Sequence, residues 1–415
     1  MHPFTLAFLA ALLVTTLARL WLARRHIRHI TAHRDTVPAE FAGQITLAAH
    51  QKAADYTAAR TRVGMVETVV GALVLLAFTL GGGLQGIWSS WTPLLAPGGY
   101  AHGIAFIVTV VIAGGIVDLP FGLYRTFVIE ARFGFNRMTL GLYLLDLAKQ
   151  GLLGLLLGAP LALCVLWLMA AMGAAWWLYV WLTWVGFNLL IVTLYPTVIA
   201  PLFNRFTPLE DEALKGRIEQ LLARCGFRSQ GLFVMDSSRR SSHGNAYFTG
   251  FGAAKRIVLF DTLIARLAPA EIEAVLAHEL GHFSRRHVWK RMALLFSVSL
   301  GFLWLLGYLI GQEWFYSALN VQAHATAMAL VLFFMVAPVF AFLLQPLMSL
   351  YSRRHEYEAD AYAAQHAAAS DLAQALVKLY QDNAATLTPD PLHSAVYDSH
   401  PPAALRVARL QPAKG

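Results

Sequence analysis

Apolar residues in this chain gather in long blocks instead of the short alternations that an amphipathic surface leaves in a sequence. An α-helix needs about 20 mostly apolar residues to cross the hydrocarbon of a bilayer. Seven blocks meet that length: Phe4 to Ala23, Val63 to Leu80, Gly103 to Pro120, Gln150 to Ala170, Ala174 to Val198, Met292 to Ile310 and Thr326 to Leu350. The first block lacks a basic leader and a small-residue cleavage site, so it reads as a retained helix and not as a signal peptide. The pattern predicts a mainly α-helical multi-pass membrane protein with seven transmembrane helices.

The polar connections alternate in charge. The segment Arg24 to Arg62 carries seven Lys and Arg, and Phe121 to Lys149 carries Arg125, Arg132, Arg137 and Lys149, whereas Gly81 to His102 and Gly311 to Ala325 carry none. Short basic loops stay in the cytoplasm. With seven spans this places Met1 outside and the two large polar segments, Ile199 to Arg291 and Tyr351 to Gly415, on the cytoplasmic side.

Between spans five and six the periodicity shortens. Glu210 to Cys225 repeats apolar residues at helical spacing through Leu214, Ile218, Leu221 and Leu222. "GLFVMD" and "RIVLFD" are short apolar runs ending in Asp and read as strands. "SSHGNAYFTGFG", Ser241 to Gly252, lies between them and reads as a third, edge-like strand. A helix is predicted from Pro269, a good first helical residue, with Glu271 and Glu273 near the positive end of its dipole. The segment is a small α+β unit.

Composition agrees with the membrane reading: charged residues make up 13% of the chain and mean hydropathy is +0.54. The net charge of +8 is scattered over cytoplasmic loops, which explains it without nucleic acid, and none is expected as a partner. Cys164 lies in a span and Cys225 in the polar unit, so no disulfide is expected between them and the chain has no CxxC pair.

The candidate chemistry sits in "LAHELGHFSR", Leu276 to Arg285. His278 and His282 are one helical turn apart on one face and can hold a single ion at about 2.0–2.1 Å; Ala277 and Gly281 keep the neighbouring face small. The same letters can belong to a solvated helix turn. A hydrolytic zinc needs a third ligand and an open position, and "SRRHEYEADAYAAQH" after span seven supplies one. Glu356 and Asp360 share a helix face at i, i+4, while Glu358 points elsewhere. Glu356 suits the ligand role and Asp360 the role of orienting a zinc-bound histidine through its other ring nitrogen. His243 and His287 are out of register with the pair and are expected at the surface. The open side of Asn245, Ala246, Tyr247 and Phe248 offers main-chain hydrogen bonds to an extended peptide.

"HELGH" (278–282), "EYEAD" (356–360), "SSHGNAYFTG" (241–250), "EARFGFNR" (130–137) and "SHPPAALR" (399–406), in this order of function rather than of chain, resemble the type I CaaX prenyl proteases, integral membrane zinc metalloproteases. The resemblance implies a gluzincin-like catalytic unit with one Zn2+ held by His278, His282 and Glu356, and Glu279 as general base. It further implies that Asn245, His400 and Arg406 lie around the scissile bond and that the spans enclose a wide chamber. Glu130, Arg132 and Arg137 are expected to pair within their own loop.

The expected partition is 1–198, five membrane helices; 199–291, the cytoplasmic unit with HExxH; 292–350, helices six and seven; and 351–415, the C-terminal catalytic segment. The expected function is peptide-bond hydrolysis at the cytoplasmic face. Its partners are the lipid bilayer and a peptide or protein substrate, prenylated where the cell has a prenyltransferase. The same chemistry would serve quality control of membrane proteins, and a seven-span carrier or scaffold with structural zinc is the alternative of another class. The membrane is the inner membrane in a bacterium or the endoplasmic reticulum in a eukaryote.

Overall fold

The computed structural model describes residues 1–249 and 256–411. Among the described residues seven helices are long and apolar enough to cross a membrane, and they contain the seven apolar blocks to within two residues at the blocks' C-terminal ends. The helices used below are α1 (Pro3–Ala32), α2 (Leu47–Phe78), α3 (Tyr100–Tyr124), α4 (Leu140–Ala171), α5 (Trp176–Leu194), α6 (Glu212–Arg224), α7 (Pro269–Ser284), α8 (His287–Leu309), α9 (Thr326–Ala341), α10 (Gln345–His366), α11 (Ala369–Asp382), α12 (Pro391–Tyr397) and α13 (Ala403–Leu410).

Several helices outrun their apolar blocks. Helix α2 begins sixteen residues before Val63, through Lys52, Asp55 and Arg60, because a polar sequence continues a helix readily once the apolar part has nucleated it. Span seven passes through a short 3-10 turn, Phe342–Leu344, into α10, which carries the acidic motif.

Two separate cores follow from this layout. Among the membrane helices, Phe8, Leu84, Phe106, Leu306, Met328 and Leu332 are fully buried, while Leu73, Val111, Leu156 and Phe334 remain exposed, as lipid-facing residues do. A second core, built on Ile218, Leu221, Ile257, Leu259, Leu276 and Leu280, joins the sheet to α6, α7 and α11.

The sheet has four strands in the order β1 (Phe206–Pro208), β2 (Leu232–Met235), β4 (Arg256–Phe260), β3 (Ala246–Thr249). Only β2 and β4 run parallel. Strand β3 pairs with β4 from Ala246 opposite Leu259 to Phe248 opposite Ile257, and its other edge carries no strand among the described residues. Strand β1 escaped the sequence reading, since three residues ending in Pro208 leave no alternation to detect. The end of the edge-like motif, Gly250 to Gly252, lies outside the described residues. Both cysteines are free.

Candidate metal and catalytic site

Helix α7 starts at Pro269, and the side chain of Glu271 accepts a hydrogen bond from the Ala268 amide at 2.7 Å. That bond satisfies one of the amides the helix start leaves open. Glu273 is clamped by Arg217 at 2.6 Å and by Arg224. The helix then runs buried to HELGH, packed along α10. At their closest approach Gly281 faces Ala359, where an added Cβ would lie 3.0 Å from the Ala359 Cα. The glycine is required by this contact and not by its backbone angles.

Three donor groups converge at the crossing. His278 Nε2 and His282 Nε2 are 3.2 Å apart, and the Glu356 carboxylate faces both, with Oε2 3.4 Å from His278 Nε2 and Oε1 3.4 Å from His282 Nε2. Tetrahedral ligands at about 2.0–2.1 Å from an ion are separated by about 3.3 Å, and one donor atom from each of the three residues lies within 4.8 Å of the others, a spacing that a single ion can draw together. Glu356 Oε2 is buried and has no hydrogen-bond partner among the described residues. A buried carboxylate oxygen without a partner is costly, and a cation there removes the cost. The donor set, two imidazoles and a carboxylate, suits zinc with a position left open for chemistry.

The rest of the motif surrounds this centre. Asp360 Oδ1 accepts from His278 Nδ1 at 2.8 Å. Burial works against a charged imidazole at His278, yet the hydrogen bond to Asp360 and the facing Glu356 carboxylate outweigh it and push its pKa up to about 9. Glu279 follows His278 on the helix, and burial raises its carboxyl above the ordinary range despite the nearby histidines. His400 Nε2 stands 3.5 Å from Glu356 Oε2, and its Nδ1 lies 3.0 Å from the Ser399 hydroxyl.

His400 is delivered by a segment fixed at several points. Asp390 caps α12 by accepting from the His393 amide at 2.9 Å and is gripped by Arg25 of α1 at 3.0 Å. Arg353 and Ser349 of α10 donate to the Ser394 and Val396 carbonyls, both at 2.7 Å. Pro401 and Pro402 then turn the chain into α13.

Arg406, which the resemblance put around the scissile bond, spends its guanidinium within the protein. It is buried and makes a bidentate pair with Asp360, at 2.8 and 2.6 Å. Its Nη1 is 3.8 Å from Glu356. The fork therefore serves the carboxylate that serves His278, although the residue still borders the cavity described below.

One expectation of surface position is corrected, at His287, while His243 keeps a partly exposed ring. His287 is buried, its Nδ1 is 3.0 Å from His282 Nδ1, and its Nε2 is 3.0 Å from Glu358. His243 stacks on Phe135 at 4.7 Å, meets Asn383 Oδ1 at 3.1 Å and lies 3.4 Å from Glu130. Glu130 also accepts from Tyr56 of α2, so its pairing reaches outside its loop. A bridge between Asn136 and Ser241 ties that loop to the segment leading into β3. His287 and Glu358 belong to the site and went unrecognised in the sequence.

A cavity of about 1190 Å³ lies beside the site, lined by Asn245, Tyr380, His400 and Arg406 and also by Arg19 of α1 and Arg60 of α2. Asn245 is exposed at the head of the open strand edge.

Comparisons with known proteins agree over the whole length. Residues 26–205 match the family described as the CAAX prenyl protease N-terminal region of five membrane helices, and residues 208–414 match peptidase family M48. The CAAX prenyl protease 1 homolog of Oryza sativa is 35% identical, covering 93% of this chain and 92% of that protein. The human CAAX prenyl protease 1 homolog is 30% identical over 85% and 82%. The crystal structure of S. mikatae Ste24p superposes with a TM-score of 0.92 at 31% identity, covering 99% of both chains.

Proposed function

The chain belongs to peptidase family M48, and from that premise we propose that this integral membrane zinc metalloendopeptidase removes the residues that follow a prenylated cysteine at a protein's C-terminus. The carrier and scaffold alternative does not fit a family of proteases. The observation that carries the proposal is the converging donor set of His278, His282 and Glu356, beside a cavity lined by its neighbours His400 and Arg406 and by residues of the membrane helices. Such a cavity accepts a peptide end together with an apolar chain, and the similar proteins from rice and human are named as CAAX prenyl proteases.

In this reading His278, His282 and Glu356 hold one zinc. When bound, the ion lowers the pKa of water and polarises the scissile carbonyl. Glu279, its carboxyl raised by burial, takes the proton of the attacking water and passes it to the departing amine. Asp360 fixes His278 with its proton on Nδ1, and Arg406 holds Asp360. His400 donates to the substrate oxygen that becomes negative; the two prolines after it set its turn beforehand. The free edge of β3, Asn245 to Phe248, takes the peptide as an added strand.

The basic loops support an orientation with the catalytic segments in the cytoplasm and Met1 outside. Labelling of single cysteines introduced at Ser89 and Ser317 is expected from outside intact cells, and at the exposed Ser370 only after lysis; outside labelling at Ser370 would reverse the orientation. The test of substrate is cleavage of a farnesylated peptide ending in Cys and three residues against its unprenylated twin by purified protein. The farnesylated peptide is expected to be cut with the higher kcat/KM. Equal rates would assign the same chemistry to unprenylated substrates.

A further inference from the structure

The two histidines of the metal centre are supported differently. His278 reaches a carboxylate directly, Asp360 at 2.8 Å, and that carboxylate is held by the Arg406 fork. Among the described residues no carboxylate pairs with His282 Nδ1; it meets the Nδ1 of His287 at 3.0 Å, and His287 Nε2 meets Glu358 Oε2 at 3.0 Å. Glu358 is in turn held by Arg354, at 3.1 Å. Each histidine thus ends on a carboxylate gripped by an arginine, one directly and one through an intervening ring.

The proton positions follow from the ligand role. If His282 binds through Nε2, its proton is on Nδ1 and must be donated. His287 Nδ1 then accepts, which puts the His287 proton on Nε2, aimed at Glu358. Every donor in the row points the same way, and the row closes on a group that only accepts. The His287 ring is 1% exposed and stacks on His355 at 4.0 Å with planes 10° apart, so its plane is set by packing.

Backbone geometry brings His287 there. On an unbroken helix a residue five places along lies about 140° round the axis. Here α7 ends at Ser284, and Arg286 takes a φ of +56° before α8 starts. A non-glycine residue in the left-handed region carries a conformational cost, and this one folds His287 back over His282.

We infer that His287 and Glu358 are positioning residues that fix the tautomer and tilt of His282, and so set the affinity and geometry of the zinc. The inference rests on the ligand assignment above. Its test uses the full chain purified in detergent: zinc affinity by competition with a chelating dye, and the visible absorption of the cobalt-substituted protein as a readout of ligand geometry. Glu358→Ala, at a side chain 30% exposed, is expected to weaken zinc about 10- to 100-fold and to alter the cobalt bands. Glu358→Gln, which still offers an oxygen to His287, is expected to restore both to within a few-fold. His287→Ala is expected to match Glu358→Ala; if it does not fold, the Glu358 pair decides. Wild-type affinity and unchanged bands in Glu358→Ala, or a Gln variant no better than Ala, would overturn the relay. If His282→Ala itself keeps stoichiometric zinc, the ligand assignment falls, and the relay with it.

Discussion

Replacing Gly281 by alanine tests whether the metal site depends on how closely two helices approach. The new Cβ would stand 3.0 Å from the Ala359 Cα and 3.1 Å from both the Ala359 carbonyl oxygen and the Tyr362 Cβ. None of these atoms is the end of a flexible side chain. Ordinary contact begins at 3.4 Å, so α7 and α10 must separate by about 0.4 Å, twice the roughly 0.2 Å tolerance of metal–ligand distances. His278 and His282 sit on one helix and Glu356 on the other, and the separation opens the donor set across that divide. Overpacking of this kind costs about 1–3 kcal/mol; if the strain is relieved by loosening the site, zinc affinity falls about 5- to 150-fold. Chelator competition reads the affinity and peptide cleavage at saturating zinc reads the remaining geometry. Gly216→Ala on α6, where nothing lies within 4 Å of the added carbon, is the control and should leave zinc binding alone while adding about 0.5–1 kcal/mol of stability. A Gly281→Ala protein with native zinc affinity and activity would refute the argument.

Other substitutions separate the roles. Glu279→Gln should retain zinc and lose about 10²–10⁴-fold in kcat, checked by metal analysis alongside single-turnover cleavage. Glu356→Ala should instead lose the metal. His400→Ala should keep zinc and bind peptide almost normally while kcat drops about 10²–10³-fold; loss of zinc would make the residue a ligand or a folding element. Arg406→Ala leaves Asp360 buried without its cation, so a stability loss of about 3–5 kcal/mol is expected as a lowered Tm. An unchanged Tm with a raised KM would return Arg406 to the substrate.

The spans were legible because lipid imposes one requirement on every residue of a block, and a window of hydropathy sums it. The edge strand was legible from its glycines and position, and the acidic helix from its i, i+4 spacing. His287 was hidden because register arguments assume a continuous helix, and the break at Arg285 and Arg286 carries neither glycine nor proline. Arg406 was readable as a bidentate donor, but its partner, Asp360, lies 46 positions away, and nothing local says which carboxylate a guanidinium will meet. The polar first half of α2 has the composition of a loop; its helicity comes from the apolar half that follows and from packing on α1.

The order in which the ribosome delivers the donors has its own consequence. When His278 and His282 leave the exit tunnel, Glu356 is not yet synthesised, and two more membrane crossings must be synthesised before it is. His400 and the Arg406 brace come later still. A nascent chain therefore carries an incomplete hydrolytic centre throughout insertion, beside its own exposed and unfolded segments. Cutting power arrives only after the last transmembrane helix has joined the others, so correct membrane assembly and activation of the enzyme are one event.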